Sequence, residues 1–362
     1  GSAVGGLFVA FIIWGFMTLM AYFEGDSIFL AISRARRIRP EDHPRLYNVV
    51  EEMKIASGLE YMPAIYIIDD PAPNAFATGR DPKKASIAIT SGLLEKLNRD
   101  ELQGVIGHEM AHIKNRDVLL MTMCGILLGS IVILAYYASR IMFVAGAGRR
   151  SSGRGGGGAL PLIVIAIVLM ILAPIAAQLI YYAISRKREY LADASSALYT
   201  RYPEGLASAL EKIGSSTARL QTANKALAPM YISNPFRTGA RALSGWTSTH
   251  PPLAERIRIL RSMGGASYTD YNEAYARVHK GGERVIPASA LAEAGAVGLR
   301  EPSAESAPEP SRLERHREVS DLLWKQSNYQ TIECECGTRL RVPPGVKRFT
   351  IRCPRCGRNH SV

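Results

Sequence analysis

Two histidines with a glutamate between them, His108-Glu109-Met110-Ala111-His112, carry the densest chemistry in the sequence. On a helix, positions i and i+4 share one face, so both imidazoles can grip one zinc ion. Glu109 then lies beside them, placed to take a proton from water activated by the metal. With 7 His in 362 residues, chance gives this pattern in on the order of one such chain in a hundred. The rival reading is two surface histidines on a helix. A catalytic zinc has three protein ligands and an open position. Arg188-Glu189-Tyr190-Leu191-Ala192-Asp193 offers the third ligand. Glu189 would reach the metal, and Asp193, one turn on, would orient a ligand histidine through its other ring nitrogen. Here the rival is a carboxylate pair balancing Arg186 to Arg188.

A second constellation lies near the C-terminus. Cys334-Glu-Cys336-Gly337 and Cys353-Pro-Arg-Cys356-Gly357 can supply four thiolates to a structural zinc. Ile332, Leu340, Val342, Phe349 and Ile351 alternate around them as in small strands. The module resembles a zinc ribbon, although its first pair is Cys-x-Cys rather than Cys-x-x-Cys. Disulfides or free thiols are the rival, and a reducing cytoplasm disfavours the former. Arg339, Arg341, Lys347, Arg348, Arg352, Arg355 and Arg358 make the module basic. That leaves room for a protein partner or acidic lipid, but a solvated basic face is the simpler reading, and a nucleic-acid role ranks lowest. Cys124 sits in an apolar run and reads as filler.

The elements that must position these residues are partly membranous. Hydrophobic residues make up 47% of the chain, charged residues 21%, and the net charge is +12. Three apolar runs, 3–23, 118–146 and 160–184, are long enough to cross a bilayer, which argues against a purely soluble globule. The last two, joined by the Gly-rich stretch 146–158, read as a transmembrane hairpin, with Pro174 expected to kink the third run. Arg34, Arg36, Arg37, Arg39, Lys114, Arg116, Arg186, Lys187 and Arg188 must share one side if each run crosses once. Their excess over Arg149, Arg150 and Arg154 in the loop places the large polar regions in the cytoplasm. The opening Gly-Ser, rather than Met, is what a truncated N-terminus that has lost an earlier span would show.

Between the first two runs the pattern is α+β. A helix is expected over 40–57, short strands at 64–69 and 85–90, and a short helix over 91–97. Asn98 with Glu101 three residues on makes a capping box for the helix bearing the histidines. Further helices are expected at 189–198, 206–213 and 253–263. The stretch 287–312, rich in Ala, Glu, Pro and Ser, reads as disordered linker.

His108-Glu-Met-Ala-His112, Arg188-Glu-Tyr-Leu-Ala-Asp193, Asn74-Ala-Phe-Ala-Thr-Gly79 and Thr249-His-Pro-Pro-Leu-Ala-Glu-Arg256 occur in the order found in the M48 family of membrane zinc metallopeptidases. The spacing, with a membrane hairpin between the two ligand helices, resembles the HtpX branch over residues 3 to 263. The resemblance implies a gluzincin-type catalytic domain facing the cytosol at a bacterial inner membrane, degrading misfolded or damaged membrane proteins. It implies that Asn74 and Phe76 lie near the cleft, and that 85–90, with Ala85, Ser86 and Ile87, is an edge strand able to pair with extended substrate. It also implies that His250 and Arg256 stand near the substrate oxygen, where either can stabilise a developing oxyanion; the rival readings are a helix entry at His250-Pro251-Pro252 and an internal salt bridge for Arg256.

The resulting expectation is an α+β, mainly helical fold. It comprises a membrane helix at 1–23, a metallopeptidase domain at 24–285 interrupted by the hairpin at 118–184, a flexible linker at 286–328 and a zinc ribbon at 329–362. Its partners are the bilayer and unfolded or membrane-protein substrates, and its cofactors one catalytic and one structural Zn2+. The alternatives are a CAAX-type prenyl-protein protease, whose relatives carry more spans, and a catalytically silent zinc-bearing scaffold, against which the intact Glu109 argues. An intramembrane protease is rejected, because Arg99-Asp100-Glu101 and Asn115-Arg116-Asp117 flank a polar motif helix.

Overall fold

The computed structural model describes residues 2–148, 160–218, 220–221, 231–232, 248–281, 284–292, 295, 297–303, 309–345 and 350–361. Helix α1, Ser2–Ile32, contains the first apolar run. It does not stop at Phe23: no proline interrupts it, and it continues to Ile32 with a 66° bend between Phe8–Met20 and Tyr22–Ile32. A two-residue strand follows (β1, Arg36–Arg37), then α2, Pro44–Ser57. α2 begins later than the expected residue 40, because Pro44 takes the first turn and His43 Nδ1 caps the Leu46 amide at 3.2 Å.

Next come β2 (Ala64–Ile68), β3 (Ala75–Thr78), a 3-10 turn at Pro82–Lys84, β4 (Ser86–Thr90) and α3 (Ser91–Lys96). The sheet order is β1-β2-β4-β3, with β4 parallel to β2 and antiparallel to β3. This corrects the expected edge strand. β4, with Ser86 and Ile87, is hydrogen-bonded on both sides and buried throughout, and Ala85 just before it is buried too. The edge beside β4 is β3. Alternate residues divide between two cores: Ala75 and Ala77 join the main one, and Phe76 joins a smaller one on the opposite face.

The main core wraps α4, Arg99–Lys114, in α2, α6 (Leu160–Thr200) and α7 (Pro203–Ser215). A Cβ on Gly104 would come within 2.6 Å of the Leu206 backbone nitrogen, so only glycine admits α7 this close. α4 leads through Arg116 into α5, Asp117–Gly148. Within α5, Asp117–Ala138 is long and apolar enough to cross a membrane, and none of its apolar window is buried. The bent α1 meets the same test only as a pair, and the third expected span forms the first part of α6, which stays helical through Pro174. Most of the Gly-rich loop, 149–159, lies outside the described residues.

α8 (Leu253–Arg261) and α9 (Tyr268–His279) close the domain, followed by α10 (Ala288–Ala292) and α11 (Arg312–Gln326). The expected linker is thus partly helical. Ser311 and Glu314 form a capping box, and Val319 and Leu322, at helical spacing, enter the main core. Arg300 and Ser303 donate to Asp100 in the first turn of α4. Two hairpins finish the chain: β5 (Gln330–Glu333) with β6 (Arg339–Val342), and β7 (Thr350–Arg352) with β8 (Asn359–Ser361). Cys334, Leu340 and Cys353 form a small core of their own, while Phe349 lies outside the described residues.

Candidate metal centre and active site

The capping box forms as its residues require: Asn98 Oδ1 accepts from the Glu101 amide at 2.8 Å, and Glu101 Oε2 from the Asn98 amide at 2.9 Å. α4 starts there and runs antiparallel to α6, locked where Ser196 Oγ donates to the Gly104 carbonyl at 2.6 Å. Near its far end, His108 Nε2 and His112 Nε2 stand 3.1 Å apart. Glu189 of α6 faces both, with Oε1 3.4 Å from His112 Nε2 and Oε2 3.7 Å from His108 Nε2. Ligands at tetrahedral angles around a zinc ion, with bonds of about 2.0–2.1 Å, lie about 3.3 Å from one another. The three donors match that spacing.

The ring protons support the same reading. His108 Nδ1 lies 3.0 Å from Asp193 Oδ1, and His112 Nδ1 2.8 Å from Asp117 Oδ2. A proton donated to each carboxylate from Nδ1 leaves the two Nε2 atoms facing one another at 3.1 Å, placed to share one cation. Burial disfavours charge on His112, yet Asp117 and Glu189 hold its pKa well above the ordinary value. Asp117 was missed in the sequence. It is the first residue of the membrane-length helix, 4% exposed, and also pairs with Arg188 beside Glu189. The available signal was an acidic residue five positions after His112, just past the end of α4.

Around Glu189 the charges are dense. Burial raises its pKa, but His250 and Arg256 outweigh that and hold the carboxyl well below the usual range. His250 Nδ1 is 3.2 Å from Glu189 Oε2. Arg256 is fully buried and completely engaged: Nε and Nη2 donate to Asp193 at 2.8 and 2.6 Å, and Nη1 to Glu189 at 3.0 Å and to the Ile232 carbonyl at 3.1 Å. Of the two readings for Arg256, the structure shows the internal salt bridge rather than a place beside a substrate oxygen. Arg256 stands behind the two carboxylates and orients them.

Glu109 is 1% exposed, and neither carboxylate oxygen has a hydrogen-bond partner among the described residues. Burial pushes its pKa up to about 7, with the Ala77 backbone close enough to favour the charge. Ala77 lies on the edge strand. The Thr90 amide donates to the Asn74 carbonyl, so Asn74, Phe76 and Thr78 turn their backbone groups towards β4. Ala75 and Ala77 turn theirs outwards. The Ala75 carbonyl already accepts from the Ile232 amide at 3.0 Å. Asn74 is buried and accepts from the Ala75 amide through its side chain. Phe76 packs edge-on against Tyr231, ring centroids 5.3 Å apart, on the face away from Ala77.

At the other end of the chain, Cys334 Sγ is 3.4 Å from Cys356 Sγ, and Cys336 Sγ is 3.6 Å from Cys353 Sγ. These are far longer than a disulfide bond of about 2.05 Å. They are near the roughly 3.8 Å expected between thiolates around one zinc.

The family model for peptidase family M48 matches residues 40–264. An HtpX protease homolog of Dictyoglomus turgidum is 48% identical over 259 residues, covering 72% of this chain and 82% of its own. Those of Caldanaerobacter subterraneus and Tropheryma whipplei are 45% and 46% identical, covering 90% and 85% of their own lengths and 72% and 71% of this one. A crystal structure of S. mikatae Ste24p aligns at TM-score 0.44 and 22% identity, over 70% of this chain and 58% of that one.

Proposed function

Since the chain belongs to peptidase family M48 and is a membrane zinc metalloprotease of the HtpX type, we propose how its residues divide the work. His108, His112 and Glu189 hold the catalytic zinc. The observation that carries this is the pair of facing Nε2 atoms at 3.1 Å whose opposite nitrogens are engaged by carboxylates. Asp193 and Asp117 fix the two imidazoles, and Arg256 holds Asp193 and Glu189. Zinc supplies Lewis acidity that makes water a nucleophile near neutral pH. Glu109, desolvated and without a competing partner, receives the proton from the attacking water and passes it to the leaving nitrogen. His250, beside Glu189, stabilises the developing oxyanion.

Extended polypeptide pairs with the outward backbone groups of Ala77 on β3, beside Glu109, so backbone rather than side chains is read. This suits misfolded or damaged membrane proteins as substrates. The cytoplasmic side of the membrane follows from the basic flanks of the spans. Cys334, Cys336, Cys353 and Cys356 hold a second, structural zinc in a module of its own, which offers a surface for a protein partner.

Cleavage of casein by the detergent-purified chain, beside Glu109→Gln, is the test. The wild type is expected to cut. The variant is expected to bind zinc normally and to lose cleavage by at least about a hundredfold. An active variant would remove Glu109 from the mechanism.

A further inference from the structure

The end of the edge strand is tied to the membrane helix. Asp26, one turn past Tyr22 in the bent second part of α1, accepts through Oδ1 from Thr78 Oγ1 at 2.7 Å and from the Gly79 amide at 3.0 Å. The next residue, Arg80, donates to the Tyr22 carbonyl. Its guanidinium sits over the Tyr22 and Phe23 rings, 4.5 and 4.9 Å from their centroids. Three consecutive residues, Thr78 to Arg80, are therefore held by α1. Below them, Phe29 and Leu30 pack onto the core that contains Phe76 and Ala88.

The strand needs such an anchor. β3 is hydrogen-bonded to a neighbouring strand on one side only. At its end the chain turns sharply: Gly79 has φ +118°, and a Cβ there would lie 2.6 Å from the Ala85 Cα. A strand four residues long, open on one side and leaving through a glycine, has little of its own to fix its last backbone groups. Ala77 precedes Thr78, so a shift at the anchor moves the groups beside Glu109. A carboxylate oxygen accepting from a hydroxyl and an amide at once forms charge-assisted bonds, stronger than a neutral contact.

We infer that Asp26 is a positioning residue that holds the edge strand where substrate pairs with it, linking the membrane helix to the active site. This rests on β3 being the substrate-pairing strand, and the experiment separates the two. The full chain is assayed in detergent with zinc on a quenched-fluorescent peptide of unfolded sequence that the wild type cuts. Asp26→Leu is expected to raise KM about tenfold, with kcat within about twofold and zinc content unchanged. Asp26→Asn keeps an oxygen acceptor and is expected to stay within about threefold of the wild-type KM. Thr78→Val removes one donor at constant shape and is expected to raise KM about threefold.

Wild-type KM in both Asp26→Leu and Thr78→Val overturns the inference, as does loss of zinc from either folded variant. If Asp26→Leu does not fold, Thr78→Val decides: a raised KM with full zinc sustains the inference, and a wild-type KM overturns it. Peptides N-methylated at one backbone amide at a time test the premise on the wild type. If no position raises KM, the pairing role of β3 fails. If one does while the variants keep wild-type KM, the role of Asp26 alone fails.

Discussion

His112 and Glu189 share a neighbour pair, Asp117 at the start of the apolar helix α5 and Arg188 on α6, that ties the proposed metal ligands to both helices. A carboxylate that orients a ligand imidazole raises its basicity and fixes its tautomer. Asp117→Ala is therefore expected to weaken zinc binding about 10–100-fold, measured by competition with a chromophoric chelator, with the fold retained. Arg256 makes a different prediction. Its loss leaves Asp193 and Glu189 buried with less compensation, so Arg256→Met is expected to destabilise the metal-free protein by about 3–5 kcal/mol in urea unfolding. At this scale the sequence showed residue types with a strong preference for one chemistry, such as His108 and His112 at i, i+4. It did not show which way Arg256 faces. A buried arginine bound to two carboxylates and an arginine awaiting a substrate oxygen are written with the same letter.

At the scale of elements, caps and close approaches decide where the helices sit. His43 accepts the Leu46 amide only while neutral, and burial first, then Arg45, holds its pKa down to about 4. Unfolded, it titrates near 6.5. As pH falls below about 6.5 the unfolded chain takes up a proton that the native one refuses, so stability falls until about pH 4 and is then level for this group. The shift corresponds to about 3 kcal/mol. His43→Asn, which keeps a capping oxygen, is expected to flatten this part of the stability–pH curve, read as urea midpoints across that range. The start of α4 was legible from Asn98 and Glu101, whereas α2, expected from residue 40, begins only at Pro44. The order of the strands was not, because alternation shows that 85–90 is a strand but not whether one neighbour or two will pair with it.

For the whole molecule, the two residue groups that could hold a metal lie on separate elements. Wild-type protein is expected to carry about two zinc ions per chain, and Cys353→Ser with Cys356→Ser about one, by elemental analysis. Casein cleavage is expected to survive, since among the described residues no ribbon side chain contacts His108, His112 or Glu189. The C-terminal arm is joined to the catalytic domain by α11, whose Lys325 reaches Asp42 at 2.6 Å, and by Arg300 and Ser303 on Asp100. Its composition had suggested a loose tether. Val319 and Leu322 are too few to give a periodic signal, yet they are enough to seat one helix against α3.

By itself the sequence determined the family, the three apolar runs, the four-cysteine cluster and the two histidines and glutamate that the structure brings together. Each rests on local spacing, and local spacing survives in one dimension because helix and strand periods are short. Only the tertiary structure decided that β3 is the edge, that Arg256 stands behind the carboxylates, that Asp117 completes the histidine shell, and that Asp26 reaches Thr78. Those four depend on which segments meet across long chain separations. Such meetings follow from the packing of α4 among α2, α6 and α7 and from strand pairing, which the spacing of residues along the chain does not encode.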